Sequence, residues 1–175
     1  GESGGQIGDI GLLSNENFSF KVNKTTKIFG NYFLHWGDVK EGRCKIEDQV
    51  KASINTEKRN LICNNHSSTH LLHASLRKIL GNHVSQKGSL VNQEKLRFDF
   101  SHNELISDEN IESIELLVNK IIDQNNPIQT EIQDHMTAVN SGALALFGEK
   151  YGDEVRVLSM GKENDNIFSR ELCGG

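Results

Sequence analysis

The hydrophobic period of this chain changes once, near Asn60, and that change restricts the folds open to it. Before it the text reads as β. Residues 1–11 hold five glycines and predict a loop with a short strand. Phe18-Ser19-Phe20-Lys21-Val22 alternates apolar and polar, the pattern of a half-buried strand. Residues 28–36 and 44–54 are further strand candidates, separated by Gly37 and Gly42. Short strands with glycine punctuation predict a small barrel or a strongly bent sheet. After the change, Leu61, Ile62, Leu71, Leu72, Leu76, Ile79 and Leu80 mark a helix that stops at Gly81-Asn82. Residues 84–91 and 95–100 read as a hairpin. Ser107 or Asp108 caps a second helix, buried along Ile111, Ile114, Leu117, Val118, Ile121 and Ile122 and ended by Asn125-Asn126-Pro127. A strand over 128–136, a short helix over 137–146, a strand over 154–160 and a last strand or loop over 165–173 complete the order. The expected class is α+β: a small glycine-rich β-barrel-like subdomain (residues 1–57) packed on a two-layer α/β subdomain (58–175), with the boundary between 55 and 60.

Charge excludes some partners and leaves others open. The net charge of -5 does not advertise nucleic-acid binding, but its distribution is uneven. Arg77, Lys78, Lys87, Lys95 and Arg97 stand against Glu94, a local balance of +4, whereas residues 99–134 carry nine acids against Lys120, a balance of -8. One face is therefore able to attract phosphate although the whole is acidic. Cys44, Cys63 and Cys173 are odd in number and widely spaced, which argues for a reducing compartment. No apolar run is long enough to span a bilayer and no signal segment opens the chain.

His66-Ser67-Ser68-Thr69-His70 carries the sharpest chemistry. Two histidines four apart on a helix lie on one face, one turn above the other, and both imidazoles reach one metal ion. Cys173 is a candidate thiolate ligand from far downstream. Spacing alone leaves alternatives. The pair suits the outer face of an amphipathic helix equally well. Cys63 and His73, three residues to either side, fall on the same broad face and permit a Cys63–His66–His70 site.

Other motifs are less specific. In Ser3-Gly4-Gly5-Gln6 the glycines let a backbone approach a ligand, and the Gln6 amide both donates and accepts; a tight turn with a surface glutamine reads the same. Arg97 and Asp99 share one strand face and Phe98 and Phe100 the other, so the charged pair is a mutual ion pair or a pocket wall. Ser67 and Thr69 either reach a substrate hydroxyl or cap the helix. Lys87-Gly88-Ser89 is suited to a phosphate, to a terminal adenosine or to a hairpin turn. Neither a phosphate-binding G-x-x-x-x-G-K-[ST] nor a G-x-G-x-x-G after a strand occurs, so the chain shows no nucleotide-activation machinery.

Glu2-Ser3-Gly4-Gly5-Gln6, the stretch from Asn65 through His66 and His70 to Leu72, Gln86-Lys87-Gly88-Ser89-Leu90-Val91, Leu96-Arg97-Phe98-Asp99-Phe100-Ser101-His102, Tyr151-Gly152-Asp153-Glu154-Val155-Arg156-Val157 and Ser169-Arg170-Glu171-Leu172-Cys173-Gly174-Gly175 closely resemble the editing domain of bacterial alanyl-tRNA synthetase. That family's metal motif is His-x-x-x-His followed downstream by Cys-x-x-x-His. The resemblance implies one zinc ion on His66, His70 and Cys173, leaving Cys63 to helix packing and His73 to a supporting or surface position. It implies that Gln6 faces the metal and contacts the aminoacyl ester or its attacking water, and that Ser67, Thr69, Lys87, Arg97 and Asp99 bind substrate. The implied activity is hydrolysis of seryl- or glycyl-tRNA(Ala), within a cytoplasmic, ATP-binding alanine–tRNA ligase of protein biosynthesis. The implied partners are the acceptor end of tRNA(Ala) and the other synthetase domains, with no membrane. The family's closing histidine falls two residues beyond Gly175 and a Phe-Tyr pair just before Gly1. The expectation is thus a fragment trimmed at its motif edges, with reduced affinity for its one zinc ion. Alternatives are a free-standing editing deacylase, which residues 147–160 disfavour, the related threonyl-type editing domain, and a tRNA acceptor-binding module with a structural zinc.

Overall fold

The structure, a computed structural model, describes residues 2–30, 32–145 and 152–175. The end of the expected helix at Leu146 and the Tyr151 start of one family motif lie outside the described residues. The fold is α+β, divided into two compact units: residues 1–64, 90–95 and 175, and residues 65–89 and 96–174.

The first unit holds β1 (Gly11–Asn15), β2 (Phe18–Ile28), β3 (Tyr32–Gly42) and β4 (Lys51–Ile54). They form an antiparallel sheet in the order β3-β2-β1-β4, open at both ends; no closed barrel exists among the described residues. Leu13 pairs with Phe20 on one side and Ala52 on the other. Two sequence expectations are corrected here. Gly37 does not punctuate strands; it sits inside β3 opposite Val22, where the ladder shifts register. A Cβ there would stand 1.8 Å from Lys21 O, so the close approach of β2 requires glycine. Only the end of 44–54 is a strand. The Asp48 carboxylate accepts from Lys45 N at 2.8 Å and closes a local turn, which withdraws that backbone from a ladder.

Ser3-Gly4-Gly5-Gln6 is a turn. Gly4 and Gly5 have φ of 56° and 77°, and Gln6 N donates to Ser3 O at 3.0 Å. Gly5 O and Ile7 N then bond Val91, which fixes where Gln6 stands.

Helix α1 (Thr56–Leu80) runs from the first unit into the second. It begins one turn earlier than the apolar period suggests, because Asn55 Oδ1 caps it by accepting from Lys58 N at 2.9 Å. It ends as expected at Gly81, whose φ of 115° suits glycine.

The second unit adds β5 (Gln86–Val91, its last two residues in the first unit), β6 (Leu96–Phe100), α2 (Asp108–Asp123), β7 (Gln129–Asp134), α3 (His135–Asn140), β8 (Glu154–Glu163) and β9 (Asn166–Leu172). β5 and β6 form the expected hairpin sheet, and β7-β8-β9 an antiparallel sheet. Ser107 caps α2 by accepting from Asn110 N at 3.2 Å. β7 stops short of the expected strand end because Asp134 caps α3, accepting from Thr137 N.

The central strand β8 is buried on both faces. Leu158 and Met160 pack with Leu71 of α1, Ile121 of α2 and Cys173. Val155 and Val157 pack with Ala138 of α3, Ala143 and Leu172. A third cluster, Leu76, Val84 and Ile114, seats Phe98 and Phe100 of β6 against the helices. The strand period of two thus divides β8 between two cores, and the helix period of α1 presents His66, His70 and His73 beside the first of them.

Candidate metal centre

α1 and the end of β9 build the centre. His66 and His70 stack one turn apart, ring centroids 5.1 Å from each other. Cys173 follows β9 directly, and its backbone N donates to Arg156 O at 2.9 Å, so this terminal segment is tied to the sheet. The donor atoms of His66, His70 and Cys173 all lie within 4.8 Å of one another. Cys173 Sγ is 3.4 Å from His66 Nε2. Zinc bonds of about 2.0 Å to nitrogen and 2.3 Å to sulfur give a tetrahedral donor–donor edge of about 3.5 Å. The donor set also fits zinc chemically: two imidazoles and a thiolate.

Glu171 organises the centre from behind. Its side chain is 3% exposed, and it accepts from His70 Nδ1 at 2.6 Å and from His73 Nδ1 at 2.8 Å. An Nδ1 proton committed to a carboxylate fixes the tautomer whose Nε2 lone pair is available as a ligand. His70 Nε2 is buried without a hydrogen-bond partner, as is His73 Nε2, and of the two only His70 belongs to the donor cluster. His73 reaches the same carboxylate from the next turn and packs against the Phe98 ring at 5.2 Å. Of the two positions open to it, His73 takes the supporting one, and it is buried rather than at the surface.

The electrostatics follow from this geometry. Burial opposes charge on His70, but Cys173 and Glu171 beside it outweigh burial and raise it to about 9. Burial also pushes the Cys173 thiol up, and His66 and His70 overcome that and bring it down to about 6. Cys173 is therefore mostly thiolate at neutral pH, the ligand form. Burial pushes the Glu171 carboxyl up as well, but its bonds to His70 and His73 hold it below its ordinary value.

The remaining sequence candidates are placed as follows. Thr69 is buried and its Oγ1 donates to Asn65 O at 2.8 Å, a bond back to its own helix. Ser67 is half-buried on α1 and Lys87 is exposed on β5. Arg97 and Asp99 pair with each other, 3.1 Å apart, on the solvent side of β6. Gln6 lies in the first unit, where Arg59 Nη1 donates to its Oε1 at 2.7 Å and Arg59 Nε to Asp9 Oδ1 at 2.7 Å. Cys63, expected to pack in the helix, is exposed, and it takes no part in the donor cluster.

Sequence reasoning missed Glu171 and Arg59. For Glu171 a signal existed: it precedes Cys173 by two residues in an extended segment, so both side chains face α1. Arg59 gave none, since its partners Gln6 and Asp9 lie far off in sequence.

Comparison with known proteins gives a consistent setting. Residues 1–58 match the family model of tRNA synthetases class II (A). Over its whole length the chain is 48% identical to alanine–tRNA ligase of Chelativorans sp. (strain BNC1) and 48% identical to that of Mesorhizobium japonicum. It is 51% identical, over 99% of its length, to that of Ruthia magnifica subsp. Calyptogena magnifica. In each case the chain spans 20% of the relative's length, so the similarity is to a segment of a larger synthetase.

Proposed function

We propose that this chain is an editing module of an alanine–tRNA ligase, hydrolysing the ester that joins serine or glycine to the 3′-terminal adenosine of tRNA(Ala). The observation that carries the reading is the clustered donor set of His66, His70 and Cys173 with Glu171 behind it. Its setting in a segment similar to alanine–tRNA ligases supplies the substrate. A pocket built to activate alanine cannot exclude glycine and rejects an added hydroxyl poorly, so such an enzyme needs a second, hydrolytic sieve.

Zinc on His66, His70 and Cys173 would supply Lewis-acid polarisation of an ester carbonyl or a water. The protein's own groups do the rest. Glu171 holds the His70 ring and its tautomer fixed, and His73 holds Glu171. The resemblance assigns Gln6 to the aminoacyl group or the attacking water; its Oε1 accepts from Arg59, so its amide nitrogen is the group for that role. Ser67, half-buried on the helix between His66 and His70, contacts the substrate's hydroxyl, while the Thr69 hydroxyl, assigned to substrate by the resemblance, is bonded back to Asn65 O. Lys87, Arg97 and Asp99 bind the terminal nucleotide. Water adds to the ester carbonyl, the C–O bond to the ribose breaks, and free amino acid and a 3′-hydroxyl tRNA leave.

The test uses the intact synthetase, with His66 and His70 both replaced by Ala. Release of serine from mischarged tRNA(Ala) should vanish while charging with alanine persists, because the chain holds no activation motif. A single change behind a ligand already costs about 10–100-fold in metal affinity or activity, and loss of two ligands removes the site. Retained deacylation in a folded, zinc-free variant would overturn the proposal, as would equal loss of both activities.

A further inference from the structure

β3 is an edge strand, and every residue of it from Tyr32 to Gly42 is exposed. β1 covers β2 only over Phe18–Val22, so past the shift between Val22 and Lys24 the β2–β3 hairpin continues as a two-stranded ribbon. Its two faces differ. Thr25 and His35 pair on one face, where Thr25 is buried and its Oγ1 donates to Asp9 O at 2.6 Å. Alternation puts Lys24 and Trp36, Thr26 and Leu34, and Ile28 and Tyr32 on the other. That face is open among the described residues: Tyr32 is 69% and Trp36 55% exposed, with Leu34 and Ile28 beside them. Rings left in water forgo the gain of burial, and a contiguous row of them marks a contact surface. Trp36 Nε1 donates to Thr26 Oγ1 at 3.3 Å, which pins the indole to the ribbon. Charge then separates the candidate occupants. Residues 21–36 carry Lys21, Lys24 and Lys27 and no acid, in a chain of net charge -5. Lys21, paired with Asp38 two residues past Trp36, shares the open face, and both it and Lys24 are exposed. Asp38 itself is held by Lys40 at 3.9 Å and by Asn23 Nδ2 at 2.9 Å. A second copy of this face would set lysine against lysine, whereas a polyanion with flat apolar groups meets both the charge and the rings.

We propose that this face of the β2–β3 ribbon is a docking surface for a single-stranded segment of RNA, whose bases stack on Trp36 and Tyr32 and whose phosphates meet Lys21 and Lys24. Every base has a π-face, and stacking on an aromatic side chain needs that base unpaired, which selects single strands over duplex. Trp36 and Tyr32 stand four residues apart on β3, about 13 Å, so they take different bases of one strand. The lysines supply the positive charge along which a phosphate backbone tracks. The whole surface lies within residues 1–58, which match the family model of tRNA synthetases class II (A), and the choice of RNA rests on that match. The surface holds no residue of the metal centre, so it stands whether or not the chain hydrolyses an ester.

Trp36 is the chain's one tryptophan, so its fluorescence reports this face directly. The experiment titrates the chain, with no aminoacyl ester and no added zinc, against a short single-stranded RNA and against the duplex of the same sequence; its outcome is therefore separate from that of the deacylation test. The single strand should quench Trp36 saturably, and the duplex should bind at least about tenfold more weakly. With end-labelled RNA and anisotropy as the readout, Trp36→Ala should weaken binding about 5- to 150-fold, the worth of one stacked base, while Trp36→Phe, which keeps a ring, should lose less. Lys24→Gln should weaken binding and lower the salt slope of log K by about 0.7, the share of one phosphate on a single strand. Circular dichroism of each variant checks the fold. Absence of saturable quenching would overturn the proposal, as would duplex binding as tight as that of the single strand, or an unchanged RNA affinity in folded Trp36→Ala. A dimer in sedimentation, with Trp36 already quenched before RNA is added, would overturn it too, since a second copy would then be the occupant.

Discussion

Removing Glu171 should weaken both the metal centre and the fold, by amounts that the geometry sets. In Glu171→Ala two buried imidazole Nδ1–H groups lose their acceptor at once, from bonds of 2.6 and 2.8 Å. Each orphaned donor costs about 1–3 kcal/mol, which puts the loss of stability at about 2–6 kcal/mol. Zinc affinity should fall by about 10–100-fold, because the His70 tautomer and ring orientation are no longer fixed. Glu171→Gln separates charge from shape. One amide oxygen can serve only one of the two rings, so its zinc affinity should fall by about tenfold, at the mild end of that range. His73→Ala removes a donor to Glu171 but no ligand, and should cost least. The assay is competition with a chromophoric chelator, run beside urea denaturation of the same preparations. A folded Glu171→Ala protein that binds zinc within about twofold of wild type would refute the claim that Glu171 organises the site, since the range expected for such a change starts near tenfold.

Zinc affinity should also rise with pH. His70 at about 9 must lose its proton to become a ligand, so log K should climb by about one unit per pH unit from pH 6 to 9 and flatten above. Below about 6 the slope should steepen, because Cys173 is then protonated too; a flat profile in the same chelator competition would contradict this. Bound zinc should protect Cys173 from iodoacetamide while exposed Cys44 and Cys63 label at unchanged rates, as read by mass spectrometry. Gly5→Ala forces an alanine to φ of 77° and should cost about 1–2 kcal/mol in thermal or urea unfolding.

Legibility in the sequence tracks how local the cause is. The end of α1 was readable because Gly81 both lacks a Cβ and follows the last apolar residue. The α2 cap at Ser107 was readable for the same reason, a side chain bonding three residues on. The true start of α1 at Thr56 was masked because Asn55 caps a first turn that lacks apolar residues, so the period does not yet show. Gly37 looked like punctuation because the demand for glycine comes from Lys21 across the ladder, and nothing adjacent in sequence reveals it.

The centre divides in the same way. The donor cluster is legible in part: helical spacing pairs His66 with His70 and leaves Cys63 open as a third donor, and the choice of Cys173 comes from the resemblance. Its support is not. A histidine Nδ1–H needs only an acceptor, and 24 acidic side chains qualify by type. What selects Glu171 is the strand period that aims it, with Cys173, at α1, together with the helix period that brings His70 and His73 to its two oxygens. Reading it in advance requires laying the two periods against each other, a tertiary fact. The same holds for Arg59 and Gln6, whose meeting depends on the Gly4-Gly5 turn and on the pairing of Ile7 with Val91. Groups that do chemistry are thus constrained by identity and appear in the sequence. Groups that hold them are constrained by position and appear only once the elements are folded together.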